Sequence, residues 1–169
     1  EEPAALNLAR ESIVLLKNDA YEDAETSFLP LELKPGMTIG VVGPNANSRA
    51  ALVGNYEGTA SRYYTVLEGI QDLAGPDVRV LTSEGCHLYK NGISGLSEGS
   101  DRLSEAYTVA RESDVIVAVM GLDATIEGEE GDASNEFGSG DKDNLSLPGE
   151  QHRVLEILRE SGKPVILVL

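Results

Sequence analysis

The sequence has one cysteine, no tryptophan and few cations. Cys86 stands alone, which excludes an internal disulfide and matches the cysteine usage of a reducing compartment, so the cytoplasm is the favoured location. Secretion stays open, because the chain starts on Glu1 rather than on a Met and so bears no information on a leader. Thirteen Lys and Arg stand against 29 Asp and Glu, a formal charge of −16. Affinity for nucleic acid and for anionic membrane surfaces is carried by clustered Lys and Arg, so neither is expected as a partner. A solvated acidic surface is the simplest use of the charge. No apolar run approaches the ~20 residues that a membrane span needs. His87 and His152 show no metal-ligand spacing, and Cys86 next to His87 has no third group to orient the pair. GxGxxG and the P-loop lysine motif are missing, and the loop serines are not set on the strand-to-helix turn that a GxSxG elbow needs. No cofactor and no metal are expected.

What is present is ordinary globular material. The 169 residues leave room for one domain with a sizeable core, and hydrophobic content of 41% with 18 Gly and 7 Pro argues against disorder. Pro3 to Ser12 has helical spacing, and the apolar run Ile13-Val14-Leu15-Leu16 predicts a short strand after it. Residues 19–36 read as a connection. Strands are expected at 38–43, 78–81, 114–120 and 164–169, helices at 65–73, 103–112 and from about Pro148 to Gly162, and a Gly- and Ser-rich loop at 90–100. Strands alternate with helices and are continuously apolar. That combination predicts a single α/β domain over 1–169, with a mostly parallel sheet sandwiched between helices. The chain stops on Pro164-Val165-Ile166-Leu167-Val168-Leu169, a buried-strand pattern, and a longer protein is expected around it.

Chemistry in such sheets gathers on loops beyond the carboxyl ends of the strands. Three loops fit. Gly43 to Ser48 could hold a phosphate if a helix starts there, but without the nucleotide motifs a structural turn is favoured. Gly54 to Tyr64 brings Asn55, Tyr56, Arg62, Tyr63 and Tyr64 together, which suits either a binding surface or packing against a neighbouring domain. The loop after Met120 is the most distinctive. Eight carboxylates (Asp123, Glu127, Glu129, Glu130, Asp132, Glu136, Asp141 and Asp143) stand with one lysine, Lys142. Crowding raises carboxylate pKa values, and one acid kept protonated can act as a general acid. A solvated acidic loop fits the composition as well. Calcium ranks third, since Asp141-Lys142-Asp143-Asn144 lacks the Gly and the distal Glu of an EF-hand.

An ordered series of segments resembles glycoside hydrolase family 3, in its C-terminal α/β sandwich domain. The series is Glu11 to Asn18 with Leu29-Pro30-Leu31, Ile39 to Ala46, Gly54-Asn55-Tyr56 with Thr65 to Ile70, Glu84-Gly85-Cys86, Gly121-Leu122-Asp123 through Glu129, and Leu145 to Gln151. The resemblance implies an exo-acting retaining β-glycosidase of two domains. An absent N-terminal barrel domain would carry the nucleophilic Asp, and this domain would lend an acid/base Glu from its long loop, with the carboxyl groups ~5 Å apart. Glu129 matches the family position best, in Glu129-Glu130-Gly131-Asp132, with Ala133 where the family often has Arg; Glu127 is second. Asn55, Tyr56, Arg62 and Asp123 are the candidate substrate-binding residues. The expected substrate is an oligosaccharide or aryl β-glycoside, closer to the β-xylosidase than the β-glucosidase branch, and this chain alone is expected to be inactive. A non-catalytic carbohydrate-binding or scaffolding module is the alternative of another class.

Overall fold

The computed structural model describes residues 2–22, 24–54, 58–89, 100, 102–129 and 141–169. They fall into two compact units, Glu1–Glu32 and Leu33–Leu169.

In the first unit, α1 runs Glu2–Ser12, with Pro3 in the first turn, where its missing N–H is not needed. At the far end the Ser12 hydroxyl donates to the Ala9 carbonyl at 2.9 Å, competing with the backbone ladder. The strand expected at Ile13–Leu16 does not form. These side chains are exposed by 62–84%, and the segment has no regular structure. A β-branched run favours extended backbone, but a strand also needs an edge to pair with, and this unit offers none among its described residues. The connection that follows is closed by Asn18. Its Nδ2 donates to the Leu29 carbonyl at 2.9 Å and its Oδ1 accepts from the Leu29 N–H at 2.8 Å.

The second unit is built on a sheet of β1 (Thr38–Val42), β2 (Arg79–Ser83), β3 (Val115–Val119) and β4 (Val165–Val168). The order is β2-β1-β3-β4 and every pair is parallel. All residues of β1 and β3 are buried, which explains their unbroken apolar sequence: both faces of a central parallel strand are covered. Helices α2 (Val66–Ala74), α3 (Leu103–Arg111) and α4 (Gln151–Glu160) complete the unit. Ala106, Val109 and Ala110 of α3 and Val154 and Leu158 of α4 enclose one core with Val42, Ile116 and Ala118 of the sheet. The α/β expectation holds.

Three local departures have physical causes. α4 begins at Gln151 rather than at Pro148, because Gly149 takes φ +56° and packs against Tyr89, where a β-carbon would sit 2.7 Å from the Tyr89 carbonyl oxygen. The turn after β1 leads into a single 3₁₀ turn, Ala50–Leu52, so the α-helix N-terminus that a phosphate would need is not there. Residues 90–99, expected as a loop, lie outside the described residues. Among the described residues no helix is long and apolar enough to cross a membrane.

Candidate active site

Strand order places β2 and β3 on opposite sides of β1, so successive connections leave in opposite directions. The crevice beyond the carboxyl ends of β1 and β3 is therefore the switch point where α/β sheets bind ligands. Two loops meet there. After β1, Gly43 turns at φ +137°, a conformation that side-chain-bearing residues rarely adopt. Asn45 then donates from Nδ2 to the Leu122 carbonyl at 3.0 Å, joining the loop after β1 to the loop after β3.

The segment before α2 is fastened to the same place. The Ala46 carbonyl accepts from the Leu67 N–H at 2.9 Å, and Asn47 Oδ1 accepts from the Thr65 hydroxyl at 3.0 Å. Thr65 caps α2: its hydroxyl accepts from the Glu68 N–H at 3.2 Å while Glu68 accepts from the Thr65 N–H at 2.9 Å. That backbone donor, above all, holds the Glu68 carboxyl below its ordinary range, with smaller help from Arg49 and Arg62. Arg62 itself lies over the Tyr64 ring, 3.8 Å from its centroid.

The loop after β3 is anchored from the inside. Met120 is buried and donates to the Val168 carbonyl at 2.9 Å. Gly121 turns at φ +118° and is held on both sides by Gln151, through hydrogen bonds of 2.8 and 2.9 Å. Asp123 folds the next residues over itself: its Oδ1 accepts from the Thr125 N–H at 2.8 Å and from the Thr125 hydroxyl at 2.5 Å. Its carbonyl accepts from the N–H groups of Ile126 and Glu127. Ile126 is fully buried, whereas Glu127 and Glu129 just beyond it are exposed. Fixed root and exposed carboxylates are what a loop needs in order to offer a proton to a group arriving from outside. An exposed carboxylate becomes a general acid when a substrate or a second surface covers it.

The sequence-derived site residues are thus partly assembled. Asp123, Glu127 and Glu129 share one loop, with Asp123 shaping it. Arg62 belongs to the neighbouring segment and forms no ion pair with Asp123 or Glu127 among the described residues. Asn55 and Tyr56, together with Glu130, Asp132 and Glu136, lie outside the described residues. No group of three or more His, Cys, Asp or Glu side chains among the described residues is placed to hold a metal ion. Cys86 is buried in the connection that follows β2. Burial, reinforced by Glu150 and Glu84, pushes its thiol up to about 12, the state of an inert core residue rather than a nucleophile. Sequence reasoning misses Gln151. The signal for it is a polar side chain in the first position of the inward stripe Gln151, Val154, Leu155, Leu158.

Residues 13–169 match the family described as the glycosyl hydrolase family 3 C-terminal domain. The chain belongs to that family. It is 32% identical to a β-xylosidase of Formosa agariphila over 98% of its own length and 21% of the relative's. It is 37% identical to β-D-xylosidase 1 of Arabidopsis thaliana, over 98% of this chain and 18% of the relative. With the periplasmic β-glucosidase of Salmonella typhimurium identity is 33%, over 98% and 21%. Among solved structures, the exo-β-xylosidase XlnD in complex with a xylobiose aziridine activity-based probe superposes with a TM-score of 0.73 at 32% identity, covering 98% of this chain and 19% of that one. This family 3 chain spans about a fifth of the length of the curated relatives it matches. Its α/β sheet is that of the family's C-terminal domain.

Proposed function

We propose that this family 3 domain is part of an exo-acting, retaining β-glycosidase and that its loop after β3 supplies the acid/base carboxylate, Glu129, with Glu127 as the neighbouring alternative. The observation that carries the reading is the contrast along that loop: Ile126 is fully buried and Asp123 is turned onto Thr125, while Glu127 and Glu129 are exposed at the switch point. In this account the nucleophilic Asp stands on an N-terminal barrel domain of the same enzyme. It attacks the anomeric carbon while the loop Glu gives its proton to the departing oxygen. The same Glu then takes a proton from the water that releases the sugar. Arg62 and Asp123, with Asn55 and Tyr56, contribute to the sugar-binding side of the site.

The substrate is a non-reducing-end β-xyloside, whether in an oligosaccharide or an aryl glycoside. β-Glucoside hydrolysis is the second reading, favoured by the β-glucosidases among the relatives. The two sugars differ by one hydroxymethyl group, a difference a single pocket substitution can reverse. The test is the pair of kcat/KM values for 4-nitrophenyl β-xyloside and β-glucoside in the full-length protein, together with the turnover of xylobiose, an unactivated glycoside, by Glu129→Ala. A xyloside preference and a loss of about 10²-fold or more on unactivated glycosides support the reading. Unchanged turnover in both Glu129→Ala and Glu127→Ala overturns it.

A further inference from the structure

Gln151 is fully buried at the first position of α4, and its side-chain amide is directed to two loops at the carboxyl edge of the sheet. Its Oε1 accepts from the Gly121 N–H at 2.8 Å. Its Nε2 donates to the Gly121 carbonyl at 2.9 Å and to the Leu88 carbonyl at 2.8 Å. One side chain thus satisfies both backbone polar groups of one residue, as a neighbouring strand would, and ties the loop after β3 to the loop after β2. For core packing alone this is a poor choice. Val154 and Leu158 continue the same inward stripe as apolar residues, and a buried amide adds stability over an apolar side chain only modestly even when fully bonded.

What the amide grips is the pivot of the loop. Gly121 sits at φ +118°, and the atoms nearest to the place of its missing β-carbon are Asn45 Nδ2 at 3.8 Å and the Leu169 backbone at 3.9 Å, so packing alone does not fix its orientation. The next glycine along the chain is Gly128. Between the two, Leu122 is held by Asn45, Asp123 by Thr125, and Ile126 by the core, so 122–126 is an ordered segment whose first backbone turn is Gly121.

We propose that Gln151 is a positioning residue: by clamping both polar groups of Gly121 it sets the direction in which the loop leaves β3, and so where the loop carboxylate meets the departing oxygen. This role rests on the acid/base reading above. It is tested in the full-length protein with two aryl β-glycosides of the sugar that it hydrolyses faster, one with phenol and one with 2,4-dinitrophenol as leaving group. In the first step the nucleophile's bond to the anomeric carbon forms as the bond to the aryl oxygen breaks, and the electron pair leaves on that oxygen. Phenoxide takes a proton from the acid as it departs, whereas dinitrophenolate leaves without one, so the ratio of the two kcat/KM values reports acid placement alone.

Gln151→Met fills the same volume and removes all three hydrogen bonds. The expected result is a fall of about tenfold or more in kcat/KM for the phenyl glycoside relative to the dinitrophenyl one, short of the ~10²–10⁴ set by losing the acid itself. Val154→Ala, one turn further along α4 and equally buried, is the control, because a purely structural defect lowers both values together. Parallel falls in Gln151→Met overturn the proposal. If Gln151→Met gives no soluble protein, Gln151→Glu carries the test, since it keeps the acceptor for the Gly121 N–H; an unchanged ratio there overturns the proposal equally. Glu129→Ala and Glu127→Ala, run alongside, separate the two claims. If neither shifts the ratio, the acid/base reading has failed; if one does while Gln151→Met does not, the positioning role alone has failed.

Discussion

A β-carbon on Gly43 would overlap the carbonyl oxygen of Val119. The turn that opens the candidate site is therefore possible only with glycine, for reasons of space as well as of its φ of +137°. Gly43→Ala is expected to destabilise the fold by about 3 kcal/mol or more, because neither backbone can move without breaking the sheet. Gly69 provides the contrast. It lies inside α2 with nothing within 4 Å of its would-be β-carbon, so Gly69→Ala is expected to stabilise by about 0.5–1 kcal/mol. Urea denaturation of the two variants checks both signs.

Cys86 is expected to be silent in the folded protein. With its thiol pushed up to about 12 by burial and by Glu150 and Glu84, iodoacetamide at pH 8 is expected to label it only after unfolding. The sign of the pH dependence follows from the raised value. The neutral thiol's contribution to stability is complete below its ordinary 9.0 and is lost as pH rises from there towards about 12. Alkylation of the native protein as fast as of the denatured one would contradict the burial described here.

The cap of α2 is expected to respond to acid. Glu68 is held below its ordinary 4.5, first by the Thr65 N–H. Its contribution is therefore present above that value and lost as pH falls through the lowered one. The protection of the first-turn amides of α2 against hydrogen exchange, taken relative to the intrinsic rate at each pH, is expected to fall as the pH drops through that interval, and Glu68→Gln is expected to flatten the response. An equal response in the variant would assign the fraying to other groups.

Much of this architecture can be read from the residues because central parallel strands are buried on both faces. The unbroken runs Thr38–Val42 and Val115–Val119 have no other favourable place to go. Thr65 and Glu68 mark the start of α2 for a local reason, the reciprocal cap, which needs no tertiary information. Ile13–Leu16 misleads because strand formation depends on a partner that propensity does not report. Gln151 escapes notice for the opposite reason. Its bonds run to Leu88 and Gly121, remote in sequence, and a polar residue at the head of an apolar stripe shows only that something must satisfy it. The carboxylates of the candidate site are visible as a cluster, but the choice of Glu129 within it comes from the family resemblance, since composition does not distinguish one acid from the next.

In the proposed enzyme the nucleophile is supplied by a barrel domain outside these residues. The 169-residue chain is accordingly expected to show no turnover of 4-nitrophenyl β-xyloside, measured alongside circular dichroism to establish that it is folded. Steady hydrolysis by the chain alone would remove the need for a second domain.

The most direct measurement of the acid/base role is azide rescue of Glu129→Ala in the full-length protein, with 2,4-dinitrophenyl β-xyloside as substrate. Such a variant still forms the glycosyl-enzyme, because the leaving group needs no proton, and azide then replaces water without needing a base. Turnover is expected to rise with azide, and the product is expected to be the β-xylosyl azide, with retained configuration. Near-normal activity without azide, and no azide adduct from either Glu129→Ala or Glu127→Ala, would contradict the assignment.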